Sequence, residues 1–129
     1  MTEVERFRVS SRRVEKPWGW ELVWAETEAY AGKLLFIRAG EALSLQYHEV
    51  KDEAWLVREG LARLELGVHG EDGLDTIEIR EGDALHYPPG TLHRITAVED
   101  TLIVEVSTPQ LDDVVRVEDR YGREGTSTP

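Results

Sequence analysis

The chain has 129 residues, of which 40% are hydrophobic, a formal net charge of -11 and no cysteine. The length suits one domain, and the apolar fraction is sufficient for one core. Because such an acidic chain repels phosphate backbones and anionic membranes, we expect neither nucleic acid nor a membrane as a partner. Disulfides and thiolate metal sites are excluded, so any metal ion must be held by nitrogen and oxygen ligands.

The N-terminal segment is polar and charged. Residues Met1 to Glu15 contain no apolar stretch of the kind found in a secretory signal. No apolar run in the sequence approaches the roughly 20 residues of a membrane helix. We therefore expect a cytoplasmic protein, in which Met1–Arg13 is loosely ordered or lies along a sheet edge.

The rest of the sequence predicts short β-strands and no helix. Nine segments are rich in Val, Ile, Leu and aromatic residues and are separated by turn residues. They are Trp20–Ala25, Lys33–Arg38, Ala42–His48, Ala54–Arg58, Leu61–Leu66, Asp75–Arg80, Ala84–Tyr87, Leu92–Val98 and Thr101–Ser107. This number and spacing predict a closed barrel or a sandwich. The last residues, Gly125–Pro129, predict a flexible tail.

Some predicted strands are apolar on both faces. In the last of them, Leu102 and Val104 alternate with Ile103, and the segment from Ala42 to His48 shows a similar pattern. A sheet with two apolar faces needs a second layer on its outside. We expect a homodimer to supply that layer, with a terminal segment of the same chain as the alternative.

Four side chains have the chemistry of a metal site. Gln46 and His48 share one face of a predicted strand, about 7 Å apart. Glu53 begins the next strand, and His93 follows the turn at Pro88-Pro89-Gly90. Imidazole and carboxylate groups are good ligands for Zn, Mn, Fe or Co, and an amide oxygen is a weaker one. Taken singly, a histidine on a strand more often has a structural role, so residue types alone do not decide the question.

The spacing of these residues resembles the two motifs of the cupin superfamily. The two stretches read Gly40-x5-Gln46-x-His48-x4-Glu53-x6-Gly60 and Gly82-x5-Pro88-x-Gly90-x2-His93. In the first motif Gln46 replaces the usual leading His, and in the second Ala97 replaces the usual Asn. The resemblance implies an all-β cupin jelly-roll barrel, or double-stranded β-helix. It also implies one divalent metal ion on Gln46, His48, Glu53 and His93, with Zn expected first and Co, Mn, Ni or Mg as alternatives.

A closer resemblance covers roughly residues 15 to 123. The segments that carry it are Lys16–Gly19, Leu43–His48, Glu53–Val57 and Asp113–Arg123. They are similar to the cupin domain of type II phosphomannose isomerases, which often ends a bifunctional mannose-6-phosphate isomerase and mannose-1-phosphate guanylyltransferase. The chain has no Gly-rich nucleotide loop, so guanylyltransferase activity is not expected of it. It departs from the family at Glu49, Lys51 and Ala54, where His, Arg and His are usual.

The resemblance implies aldose–ketose isomerisation of a sugar phosphate, such as mannose 6-phosphate to fructose 6-phosphate. We expect Glu105 to be the general base and Arg116 to stabilise the enediolate or hold the substrate, by similarity to type I enzymes. Lys33, Lys51 and Arg116 are the candidates for substrate binding, and Arg123 is a further cation of this kind. Structural alternatives stay open: Glu105 as an ion-paired edge carboxylate, and Lys33 as a side chain that extends to the rim.

Two other functions are compatible with the sequence. A non-catalytic cupin that binds a sugar or sugar phosphate is favoured by the departures at Glu49, Lys51 and Ala54. A cupin oxygenase or decarboxylase using Fe or Mn is disfavoured by Gln46, because a neutral amide binds a redox metal weakly.

Overall fold

The structure is a computed structural model that describes residues 3–126. Within this range the chain forms one short 3-10 helix, twelve β-strands and no α-helix, and no helix there is long and apolar enough to span a membrane. The 3-10 helix is Glu5–Phe7, and the strands are β1 Arg12–Lys16, β2 Gly19–Glu26, β3 Ala31–Ile37, β4 Leu45–Tyr47, β5 Glu53–Glu59, β6 Leu61–Val68, β7 Asp75–Arg80, β8 Ala84–Tyr87, β9 Thr91–Ala97, β10 Thr101–Ser107, β11 Val115–Glu118 and β12 Gly125–Thr126.

The strands form two six-stranded antiparallel sheets. Sheet A has the order β1-β2-β3-β10-β5-β8, and sheet B has the order β12-β11-β4-β9-β6-β7. Consecutive strands pair only toward the edges, whereas the runs β3-β10-β5-β8 and β11-β4-β9-β6 join distant parts of the chain, as in a jelly roll. The predicted all-β architecture is confirmed.

Apolar and polar side chains alternate along the strands. Each sheet therefore has one apolar face, which it turns toward the other sheet. In β6, Ala62 and Leu64 are fully buried whereas Arg63 between them is exposed. The chain passes from sheet A to sheet B at Gly60, where φ is +110° and an added Cβ would lie 2.5 Å from the carbonyl oxygen of Asp100. Only glycine fits this position, which explains the glycine that ends the first motif.

The apolar core fills one part of the space between the sheets. Its buried members are Trp18, Leu35, Ile37, Leu43, Trp55, Val57, Ala62, Leu64, Ile79, Tyr87, Ile95, Ala97 and Ile103. Four of them, Trp18, Leu35, Leu43 and Trp55, also line a cavity whose other lining residues are polar except for Leu111 and Val114. The core is therefore the floor on which the candidate site is built.

Three strands were not predicted, and one predicted strand is shorter. β1 lies along the edge of sheet A, which is one of the two positions expected for the N-terminal segment. The predicted strand Ala42–His48 shortens to Leu45–Tyr47, with only an isolated bridge at Ala42. Residues 125 and 126 of the predicted flexible tail form β12, whose backbone pairs with β11, and the flexibility of this segment stays a prediction. Residues 127–129 of that tail lie outside the described residues.

The outer face of sheet A is apolar, as the two-faced pattern predicted. Leu34, Val104 and Leu56 lie side by side on three adjacent strands. Trp24 and Val106 on the same face are about half exposed. The homodimer stays a prediction.

Candidate metal centre

Three buried side chains from three segments of the chain meet between the sheets. His48 follows β4, Glu53 begins β5 in sheet A, and His93 lies on β9 in sheet B. Their ligand atoms all lie within 4.8 Å of one another, and each residue is at most 5% exposed. The structure thus brings together three of the four predicted metal-binding residues.

Hydrogen bonds to backbone carbonyls fix both imidazole rings. The Nδ1 atom of His93 lies 2.9 Å from the carbonyl oxygen of Thr91, and the Nδ1 atom of His48 contacts the carbonyl oxygen of Asp113. Since a carbonyl oxygen only accepts, each Nδ1 carries the proton and donates it. The Nε2 atoms face Glu53, at 3.2 Å from His48 and 3.5 Å from His93.

The facing atoms are buried without hydrogen-bond partners. Within residues 3–126, neither Nε2 atom nor either carboxylate oxygen of Glu53 makes a hydrogen bond of acceptable geometry. Buried polar atoms without partners are costly and uncommon in folded proteins. Two imidazole nitrogens and one carboxylate are a donor set for a divalent transition metal, so these residues fit the implied metal ion.

Gln46 belongs to the same wall, although its amide is engaged elsewhere. Its backbone pairs with His93, and its side chain lines the cavity. The Oε1 atom accepts a hydrogen bond from Ser44 Oγ at 2.7 Å. Its role as a fourth ligand stays a prediction.

The protonation states suit a cation. Burial lowers the pKa of His93 to about 4 despite the opposing charge of Glu53, so the ring is neutral at pH 7. Burial alone would raise the pKa of Glu53, but contacts with His48, Lys51 and His93 outweigh burial and lower it. The cluster therefore contains the ionised carboxylate of Glu53 and the neutral ring of His93, with His48 on the other side of the carboxylate.

Aromatic rings hold His93 in place. Tyr87 stacks on it with ring centroids 4.5 Å apart, and Trp55 meets it edge-on at 5.8 Å. Packing of this kind fixes the orientation of a ligating ring.

Asp113 positions the loop between β4 and β5, a role that the sequence reasoning missed. Its carboxylate accepts hydrogen bonds from the backbone N–H groups of Glu49, Val50 and Lys51 at 2.7–3.0 Å. Its carbonyl oxygen accepts the Nδ1 proton of His48. Asp113 thus holds both the ring and the loop that leads to Glu53. The available signal was its place at the start of the similar C-terminal segment.

Lys51 joins the metal cluster to the predicted base. Its Nζ lies 2.9 Å from Glu53 Oε2 and 3.4 Å from Glu105 Oε2. The other oxygen of Glu105 accepts a hydrogen bond from Trp55 Nε1 at 3.0 Å. The Lys51 ammonium is thus engaged by two carboxylates of the protein, and its predicted contact with substrate stays a prediction.

The environment of Glu105 favours its protonated form more than water does. Burial raises the pKa of this carboxyl, the charge of Glu53 raises it further, and Lys51 opposes both. A carboxyl whose pKa is shifted toward neutrality is suited to both take and return a proton. The structure places Glu105 on the cavity wall rather than at an exposed edge.

A second ionised cluster lies away from the metal residues. The carboxylate of Glu21 is 3.3 Å from Lys16 Nζ and 3.1 Å from Lys33 Nζ. All three side chains are less than 10% exposed. Lys33 was predicted to line the cavity and does so, but it is ion-paired inside rather than extended to the rim. Lys16 and Glu21 were missed, and the signal for Glu21 was its inward position between Gly19 and Val23.

Two arginines complete this second region. Arg116 is buried, and its Nε has no hydrogen-bond partner among residues 3–126. Arg123 is bound by Asp119 through hydrogen bonds of 2.9 and 3.2 Å. Both arginines line the cavity together with Lys16 and Lys33.

One cavity of about 50 Å³ connects the two regions. It reaches His48, Lys51 and Glu105 on one side, and Lys33 and Arg116 on the other. Sites for small molecules usually have roughly 300–1,000 Å³. A hexose phosphate therefore enters only if the lining side chains move apart.

Solved structures of other proteins share this fold. The capsular polysaccharide assembling protein CapF from Staphylococcus aureus matches with a TM-score of 0.76 and 15% identity, over 90% of this chain and 34% of that one. KdgF from Halomonas sp. matches with a TM-score of 0.64 and 24% identity, over 86% and 93% of the two chains. Bacillus subtilis oxalate decarboxylase matches with a TM-score of 0.68 and 19% identity, over 82% and 30%. At these identities the likeness shows the fold alone, and the fold together with the histidine–carboxylate cluster defines a cupin.

The chain belongs to the mannose-6-phosphate isomerase C-terminal family, which matches residues 4–119. Mannose-1-phosphate guanylyltransferase ManC from Salmonella typhimurium is 36% identical over 87% of this chain and 23% of its own length. Mannose-1-phosphate guanylyltransferase from Escherichia coli K12 is 33% identical over 87% and 23%. Xanthan biosynthesis protein XanB from Xanthomonas campestris pv. campestris is 30% identical over 87% and 24%. The chain spans about a quarter of the length of these curated relatives.

Proposed function

We propose that this protein is a metal-dependent aldose–ketose isomerase that acts on a sugar phosphate, with mannose 6-phosphate and fructose 6-phosphate as the first pair to test. The family to which the chain belongs supports this class of substrate. The observation that carries the proposal is the buried cluster of ligand atoms on His48, Glu53 and His93, which lie within 4.8 Å of one another, and its link through Lys51 to the carboxylate of Glu105.

Isomerisation moves one carbon-bound proton. Glu105 takes the proton from C2 of the aldose, which leaves an enediol, and returns the same proton to C1. The hydroxyl proton at O2 passes to O1, so the C2–H and O2–H bonds break while C1–H and O1–H bonds form. His48, Glu53 and His93 would hold a divalent ion, which would supply Lewis-acid stabilisation of the negative charge that develops in the enediol step. Trp55 and Lys51 hold the Glu105 carboxylate in place for both transfers.

Metal binding and turnover test the proposal together. We expect the purified protein to bind Zn²⁺, Co²⁺ or Mn²⁺ and, when loaded, to convert mannose 6-phosphate in a coupled assay. His48→Ala removes one ligand and should abolish both. His86→Ala is the matched control, since His86 is largely exposed and pairs with Asp52 outside the cavity. A protein that binds none of these ions, or a His48→Ala variant with full turnover, contradicts the proposal.

The role of the base is tested separately. Glu105→Gln keeps the shape of the side chain and the acceptor for Trp55 Nε1, but it cannot take a proton. We expect kcat to fall by roughly 10²- to 10⁴-fold with the metal still bound. Retained turnover in this variant would remove Glu105 from the mechanism and leave the metal site intact.

A second candidate function is non-catalytic binding of a sugar phosphate. The contact that favours it is the ion pair between Glu105 and Lys51, which occupies the carboxylate that has to act as a base. Binding of mannose 6-phosphate by the metal-loaded protein without any conversion would select this function.

A further inference from the structure

The outer side of sheet A is a continuous apolar surface, and we call it the outer sheet A face. Side chains alternate along a strand, so its members point away from the cavity. They are Trp20, Leu22 and Trp24 on β2, Leu34 and Phe36 on β3, Leu102, Val104 and Val106 on β10, and Ala54 and Leu56 on β5. In the register of these four strands no charged residue lies between the members. Gly32 makes room for the ring of Trp24, which an added Cβ would meet at 2.7 Å.

The terminal segments in the described part of the chain do not bury this face. Trp24, Leu56 and Val106 are 43–51% exposed. The N-terminal segment leaves its own apolar side chains, Val4, Phe7 and Val9, 65–77% exposed. The C-terminal strand β12 belongs to the other sheet. Contiguous apolar surface of several hundred Å² that stays exposed marks a site of interaction with another molecule.

The charged residues at the margin of the face are already paired with opposite charges. On the β1 side Arg13 binds Glu15, and its guanidinium lies over the ring of Trp20. On the opposite side the pairs are Arg58 with Glu81 and His86 with Asp52. Two copies of a chain with a formal net charge of -11 repel each other over most of their surface. This margin carries no such excess, so it is a place where two copies can approach.

The size of the face suits a stable dimer. Six strands of this length cover roughly 25 Å by 25 Å of sheet, and the relief of the side chains adds to that area. The result is on the order of the 800 Å² that each partner contributes to a standard protein–protein interface. An apolar centre with a polar margin is also the usual anatomy of such an interface.

We propose that two copies of this chain pack through their outer sheet A faces in a two-fold symmetric dimer. Such an interface uses the same patch on both copies, which a neutral and apolar patch permits. No residue that lines the central cavity belongs to the face, so both cavities stay outside the interface. Val104 and Leu56 adjoin Glu105 and Trp55 in sequence, so the interface supports the cavity wall from behind. The inference does not depend on the proposed function.

The mass of the protein in solution tests the proposal. Light scattering and analytical ultracentrifugation should show twice the mass of one chain at roughly micromolar concentrations. Leu56→Arg and Val106→Arg each place a cation in the interface from both copies, and should raise the dimer Kd by about 100-fold or more. Ile77→Arg is the matched control, because Ile77 is 42% exposed, as Leu56 is 43%, but lies on edge strand β7 of sheet B. Cooperative urea unfolding shows that each variant is folded.

Spin-label distances identify the face without weakening the dimer. The chain has no cysteine, so one introduced cysteine carries the label. Arg58→Cys places it at the margin of the face, and Arg63→Cys places it on the outer side of sheet B. Four sheets stack in the proposed dimer, about 10 Å apart, so the Arg63 labels should be more than about 35 Å apart. The Arg58 labels should lie closer together than the Arg63 labels, and the reverse order overturns the proposal.

The other contradicting outcomes are equally definite. A wild-type chain that stays monomeric in this range overturns the proposal, whatever other molecule binds the face. A dimer with unchanged Kd in Leu56→Arg and Val106→Arg overturns it, and so does one that Ile77→Arg weakens equally. A dimer of the expected kind without isomerase activity contradicts only the proposed function. An active monomer contradicts only the dimer.

Discussion

The two ends of the cavity are built from the same kinds of charged side chain in opposite order. At the metal end, the ammonium of Lys51 lies between the carboxylates of Glu53 and Glu105. At the distal end, the carboxylate of Glu21 lies between the ammonium groups of Lys16 and Lys33. Among residues 3–126 no ion pair joins one triad to the other, although Glu105 and Lys33 are paired across β10 and β3, and both triads line the same cavity.

This difference in charge explains why the two ends require ligands of opposite charge. The metal end sets one ammonium against two carboxyl groups and leaves the buried Nε2 atoms of His48 and His93 without hydrogen-bond partners, so a cation is the ligand that fits it. The distal end sets Lys16, Lys33, Arg116 and Arg123 against Glu21 and Asp119, which gives a net charge of +2 and an unpartnered donor at Arg116, so an anion completes it. A single buried interior can hold both because each triad neutralises most of its own charge.

The largest effect is expected from removing the middle group of the metal-end triad. Lys51→Met removes the ammonium that contacts both Glu53 and Glu105, and we expect a loss of about 3–5 kcal/mol in the free energy of unfolding of the metal-free protein. Lys16→Met leaves Glu21 paired with Lys33, so its cost should be only about 1–2 kcal/mol. Urea unfolding measures the free energy of unfolding of both variants. Equal losses would refute the expected difference between Lys51 and Lys16.

A smaller effect is expected from the loop that carries the metal ligands. Asp113→Ala removes three hydrogen bonds to the loop backbone and should weaken Zn²⁺ affinity by roughly 10- to 100-fold, as for other residues that orient metal ligands. Asp112→Ala is the control, because that neighbouring side chain is exposed. Equal Zn²⁺ affinity in wild type and Asp113→Ala would contradict this positioning role.

The sequence predicted the metal end better than the distal end, for a physical reason. Spacing on strands places alternate residues on one face, and the motif spacing identified His48, Glu53 and His93 together. The partner of a buried charge depends instead on which distant strands are neighbours. Glu21 meets Lys33 because β2 pairs with β3, and Lys16 because β1 pairs with β2. The sequence reasoning had no strand at β1.

The sequence pattern also predicted the strands of the fold only in part. The alternation of apolar and polar residues predicted β6, because half-buried strands have a period of two, and the run of Leu, Ile and Val predicted β10. β12 has only two residues, and the alternation in β11 covers only four residues and buries Arg116 rather than the valines. Their pairing is supplied by the backbone, and it places Arg116 beside Gln46.

The smallest expected effect is on the pH dependence of the free energy of unfolding, to which Glu21 and Glu105 should contribute with opposite signs. Burial alone would raise the pKa of Glu21, but Lys33 and Lys16 outweigh burial and lower it below the usual 4.5. Stability from Glu21 is therefore complete above pH 4.5 and is lost as the pH falls through the lowered pKa. At Glu105 burial and Glu53 raise the pKa, so its favourable contribution is present below pH 4.5 and is lost as the pH rises through the raised pKa.

Isosteric variants of the metal-free protein isolate these two contributions. The free energy of unfolding of wild type minus that of Glu21→Gln should increase with pH in the acidic range. The same difference for Glu105→Gln should decrease as pH rises above 4.5. Each slope is at most about 1.4 kcal/mol per pH unit, because one proton is exchanged. Slopes of the same sign would show that the two carboxylates lie in equivalent fields. The inference that one end of the cavity binds a cation and the other an anion would then have no electrostatic support.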